Sequence, residues 1–71
     1  MYTDNLYYQA LEKKYEGEIA EGKAVLKTFF EKDVGVADHA EFLKIFDDYI
    51  AKINDAQEKL DTLRYHYGSD E

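Results

Sequence analysis

The stretch FLKIFDDYIAKINDAQEKLDTLRYHY, residues 42–67, decides the fold. Within it Phe42, Phe46, Tyr49, Ile53, Ala56, Leu60, Leu63 and Tyr67 follow one another in alternating steps of four and three. That is the heptad spacing, which lays an unbroken apolar seam along one side of an α-helix. Gly68 comes one step after the last seam residue, where a C′ glycine belongs, and Ser69-Asp70-Glu71 has nothing to bury. At the other end Asp38 is a good N-cap. It places Glu41 at the third helical position, an Asp variant of the capping box, and puts Ala37 and Phe42 where a hydrophobic staple forms. The spacing therefore predicts a helix over 39–67 and a disordered tail over 68–71.

Working outward, residues 33–38 read as a turn. Gly35 can take the positive φ that stops a helix, and Val34 and Val36 prefer extended backbone. Before the turn, Tyr8, Leu11, Tyr15, Ile19, Leu26, Phe29 and Phe30 recur at steps of three and four, with Gly22 filling the gap and Thr3 or Asp4 as N-cap. This predicts a first helix over about 4–32. Its pattern repeats every eleven residues (Tyr8, Ile19, Phe30), a spacing that needs almost no supercoil. Each helix would be roughly 42 Å long at 1.5 Å per residue.

A short connection makes consecutive helices antiparallel neighbours, so residues 1–71 read as a single all-α unit, an antiparallel two-helix hairpin resembling a coiled coil. If facing residues have numbers summing to about 71, Tyr8 meets Leu63, Leu11 meets Leu60, Tyr15 meets Ala56, Gly22 meets Tyr49 and Phe29 meets Phe42. Large then faces small twice, the alternation that fills a helix interface without voids. It also accounts for a mid-helix glycine at Gly22, which costs about 1 kcal/mol relative to alanine.

Apolar residues remain that this seam does not use. Leu6 and Tyr7 stand at the start, Val34 and Val36 in the turn, and Leu43, Ile45 and Ile50 at the turn end of the second helix. Two helices share only one mutual face, and a chain this short buries only about 60% of its unfolded surface. We therefore expect these seven residues to contact a partner. The simplest is a second copy, two hairpins pairing into a four-helix bundle, with another protein as the other partner.

Composition narrows the chemistry. The chain has no Cys, Pro or Trp and a formal charge of −7. Thiolate metal sites and disulfides are thus excluded. His39 and His66 fall near opposite ends of the second helix, no Glu-x-x-His pair faces inward, and no phosphate or calcium loop occurs. We expect no metal, no cofactor, no small-molecule substrate and no enzymatic activity. The acidic balance disfavours direct contact with nucleic acid or an anionic membrane. Carboxylates imitating phosphate spacing, and so inhibiting a nucleic-acid-binding protein, are the alternative. Pairs such as Asp48 with Lys52 and Asp55 with Lys59 favour an ordinary solvated face instead. No apolar run approaches the roughly 18 residues of a membrane span, and the MYTDN start lacks the marks of a signal peptide. The expected place is the cytoplasm.

The stretch LYYQALEKKYE (residues 6–16), the following Ile19-Ala20-Glu21 and the break VGVADH (residues 34–39) resemble a group of short acidic proteins encoded by large tailed phages of marine cyanobacteria. The likeness runs over most of the chain and carries no activity to any residue. What the resemblance implies is context, a phage product acting in the host cytoplasm or incorporated in the virion.

Overall fold

The computed structural model describes residues 1–31 and 39–68. Two helices, α1 (Leu6–Glu31) and α2 (His39–Tyr67), pack against each other as a hairpin. The expected turn at 33–38, with Val34, Gly35, Val36 and the Asp38 cap, lies outside the described residues, as does the tail from Ser69.

α1 begins two residues later than the spacing suggested, because the cap is Asn5 and not Thr3 or Asp4. Asn5 Oδ1 accepts hydrogen bonds from the backbone N–H of Tyr7 at 2.8 Å and of Tyr8 at 3.2 Å. Those two donors have no partner inside the helix, and a short polar side chain just ahead of them is what satisfies them. Residues 1–5 then fold back over the end of α2. Tyr2 N–H donates to the Tyr67 carbonyl at 2.9 Å, and the two tyrosine rings meet edge to face at 6.0 Å. Tyr2, which has no place on the predicted seam, thereby satisfies a carbonyl that the end of α2 leaves open.

Gly68 N–H donates to the Arg64 carbonyl at 3.0 Å. No described glycine has positive φ. Space rather than backbone freedom favours glycine at 68, since a Cβ there would collide with the hydroxyl of Tyr8 unless that ring shifted.

The register keeps the expected Phe29–Phe42 contact and departs from the expectation at Gly22. Gly22 lies beneath Ile53 and not Tyr49: a Cβ at Gly22 would sit 2.6 Å from Ile53 Cγ1, whereas its nearest Tyr49 atom is the backbone oxygen at 3.8 Å. Phe29 meets Phe46 at 5.9 Å as well as Phe42 at 5.8 Å. The Tyr8 hydroxyl reaches Gly68, while Tyr8 and Leu63 line one groove. Facing numbers thus sum to between 71 and 76, from Phe29 with Phe42 to Gly22 with Ile53 and Arg64 with Glu12. Charge agrees with this alignment. Arg64 bridges Glu12 and Glu16, and Lys52 reaches Glu21 across the helices instead of pairing with Asp48, which Lys44 takes.

The core is thin. Tyr8, Leu26, Ala56 and Leu60 are buried, while Tyr15, Phe29, Phe42, Tyr49 and Leu63 are half-buried. Leu11, Phe30 and Tyr67, placed on the seam by spacing alone, are exposed. For α1 the cause is geometric: at 3.6 residues per turn an eleven-residue step overshoots three full turns by about 20°. Tyr8 is buried, Ile19 half-buried and Phe30 exposed, a walk off the seam along the helix.

The result is a rod with extents of 52 × 15 × 14 Å and a radius of gyration of 16.0 Å. A compact chain of this length would have a radius of about 11 Å. Among the described residues no helix is long and apolar enough to cross a membrane.

Candidate interaction surface

At the turn end of the rod, four apolar side chains gather on one side. Phe30 of α1 leans on Phe46 of α2 with ring centroids 4.6 Å apart and an interplanar angle of 32°. On α2, Leu43 precedes Phe46 by three residues and Ile50 follows it by four, so both are its neighbours on the helix surface. Phe30, Leu43 and Ile50 are 72%, 68% and 53% exposed. Phe46 is held from behind by Phe29, so the patch stands on a stack of three phenylalanines.

Ile45 does not belong to this patch. It is half-buried, and as it lies two positions from Leu43 it points to a different side of α2. Val34 and Val36 lie outside the described residues. Leu6 and Tyr7 are 79% and 83% exposed, but at the far end of the rod, with Leu6 about 36 Å from Phe30 by the rise of α1. They form no common surface with Leu43 and Ile50. Phe30 joins the patch instead, a residue that spacing assigned to the seam. The signal for it was present: Phe29 and Phe30 are consecutive and point about 100° apart, so only one of them can face α2.

The same side of the rod changes character toward the open end. There Arg64 Nε donates to Glu12 Oε2 at 3.0 Å and its Nη2 to Glu16 Oε2 at 2.8 Å. The bond to Glu12, opposed by desolvation and supported by the charge of both glutamates, holds the guanidinium above its ordinary pKa. Lys59 is raised likewise by its hydrogen bond to Asp55 and the charge of that carboxylate. Both cations stay charged across the neutral range, and the stability their raised pKa values contribute is lost only as pH climbs through and beyond the usual lysine range. Exposed ion pairs add little stability; the Arg64 pairs, which join α2 to α1, serve to align the two helices.

Shallow open grooves flank the helices. One of about 320 Å³ near the open end is walled by Tyr2, Asn5, Tyr8, Leu11, Leu63 and Tyr67. Another of about 350 Å³ runs along Tyr15, Asp55, Lys59 and Thr62. No polar or charged side chain is buried among the described residues, and no three His, Asp or Glu converge there as metal ligands would. Comparison with protein-family models, with curated proteins and with solved structures finds no match.

Proposed function

We propose that the chain is a small protein-interaction and structural element that works by self-association, two hairpins pairing through the turn-end apolar side into a four-helix bundle. The observation that carries this is the cluster of Phe30, Leu43 and Ile50, three large apolar side chains left exposed around the half-buried Phe46 at the turn end of the rod. Single exposed hydrophobes are ordinary, whereas a contiguous group marks an interface. The surface arithmetic points the same way. The chain exposes 5660 Å², where a compact monomer of 8.3 kDa would expose roughly 4,600 Å². The excess of about 1,000 Å² is comparable with the roughly 800 Å² that each partner contributes to a standard interface.

The proposal includes no catalysis, no cofactor and no small-molecule substrate, in keeping with grooves that are open and lack a buried polar group. Inhibition by acidic mimicry of nucleic acid is less well supported, because Glu12, Glu16 and Glu21 are engaged by Arg64 and Lys52 across the hairpin and break up the acidic field. The resemblance of residues 6–16 to phage products suggests a virion component or an accessory protein of the infected cytoplasm. Solution mass by light scattering tests the core of the proposal. The parent should have twice the single-chain mass, and Ile50→Glu should halve it with helical circular dichroism retained. A parent of single-chain mass, matched in stability by Ile50→Glu, sinks it.

A further inference from the structure

Granting the self-association just proposed, the two copies could run side by side in the same direction or overlap head to head with opposite directions. We infer that they overlap head to head: the turn halves lie over one another, and the two open ends point away at opposite tips of the assembly. Two independent features of the chain lead there.

The first is where the charge sits. Among the described residues, 23–31 and 39–52 of the turn half hold four Lys and four Asp or Glu, a net of zero. Residues 1–22 and 53–68 of the open half hold four Lys or Arg and eight Asp or Glu, a net of −4. Pairing in the same direction lays −4 beside −4 along half the rod. Head-to-head pairing overlaps only the nearly neutral halves and moves the two acidic ends as far apart as the molecule allows, which lowers the repulsion and leaves the rest to be screened by salt.

The second is the symmetry of the strip itself. On α2, Leu43, Ile50, Gln57 and Arg64 recur every seven residues. In a same-direction pair each of these meets its own copy, so the contact would have to continue through Gln57 against Gln57 and Arg64 against Arg64, the latter already bound to Glu12 and Glu16. Head to head, with the two-fold axis near Phe46, Leu43 meets the copy's Ile50 and Ile50 its Leu43. The apolar patch is then self-complementary, as an isologous contact requires. Arg64 and its two glutamates pass beyond the start of the partner's α2 and stay in water.

Because the chain has no Cys, a single Thr62→Cys variant carries one spin label per copy on the exposed side of α2. With the axis near Phe46, the two labels are separated by about 45 Å along the rod. In a same-direction pair they have no axial separation and lie within about 30 Å, the width of a bundle whose helices pack 8–10 Å apart. The measurement is a double electron-electron resonance distance on a sample whose mass is checked by light scattering. A dimer with a distance of 45 Å or more is the expected result. A dimer with a distance under 30 Å overturns the head-to-head arrangement and leaves the self-association standing. Single-chain mass overturns both. Small-angle scattering on the unlabelled chain guards against a label effect: the maximum dimension should be about 70 Å by the same helix rise, against the 52 Å length of one rod.

Discussion

Gly17 and Gly22 sit five residues apart in the middle of α1 and are there for different reasons. A Cβ at Gly17 would meet nothing within 4 Å, so that glycine brings only the conformational cost of its freedom in the unfolded chain. A Cβ at Gly22 would run into Cγ1 of Ile53, the side chain that fills the hollow. Opposite outcomes follow. Gly17→Ala should stabilise the protein by about 0.5–1 kcal/mol, the helix propensity difference. Gly22→Leu should destabilise it by about 1–3 kcal/mol, since overpacking forces side chains off their rotamers or the helices apart. Urea midpoints of the two variants at one protein concentration read both signs; a Gly22→Leu variant as stable as the parent would contradict the observed packing.

Among the elements, α1 lacks the terminal charges that α2 carries. α2 has Glu41 in its first turn and Arg64 and His66 in its last, charges that complement the helix dipole, whereas α1 has no acidic residue in its first turn and no basic one in its last. The start of α1 therefore rests on Asn5, with Gln9 Nε2 adding a hydrogen bond to the Thr3 carbonyl at 3.0 Å. Asn5→Ala should cost about 1 kcal/mol, the usual loss of an N-cap. Asp4→Ala, a change outside the cap, should cost a few tenths at most, through the dipole alone. The same pair of variants also separates the observed start at Leu6 from one two residues earlier, for which the order of the two effects would be reversed.

For the whole molecule, the dominant fact is shape. A rod 52 Å long and about 15 Å across has few places sheltered from water, and among the described residues Tyr8, Leu26, Ala56 and Leu60 are the buried hydrophobic ones. Hydrophobic stabilisation scales with apolar area removed from water, so a rod of this kind is marginal alone and gains from a second copy. If the dimer is the folded species, thermal stability must follow concentration. Each tenfold increase should add about 1.4 kcal/mol of apparent stability and raise the melting temperature by several degrees. Melting curves recorded over two decades of concentration test this directly, and a midpoint that does not move means that the hairpin folds by itself.

Local periodicity was enough to determine the helices and the break between them. Heptad spacing from Phe42 to Tyr67 admits only a helix, and a short break makes antiparallel neighbours, because these signals depend on residues within a turn or two of one another. The presence of leftover apolar residues was legible in the same way, as an excess over what one seam can hold. Register was not. Gly22 can receive Tyr49 or Ile53 equally well in a count of large against small, since the two lie four apart on one side of α2 and a slip of one turn exchanges them. What decided between them was contact between distant parts of the chain: Tyr8 over Gly68, Arg64 between Glu12 and Glu16, and Tyr2 closing on Tyr67. The same long-range alignment turned Phe29 toward α2 and Phe30 out beside Phe46, whereas the separation of Ile45 from Leu43 follows from their two-residue spacing alone. Composition thus set how much apolar surface would be left over, and only the packing of one helix on the other set where it lies.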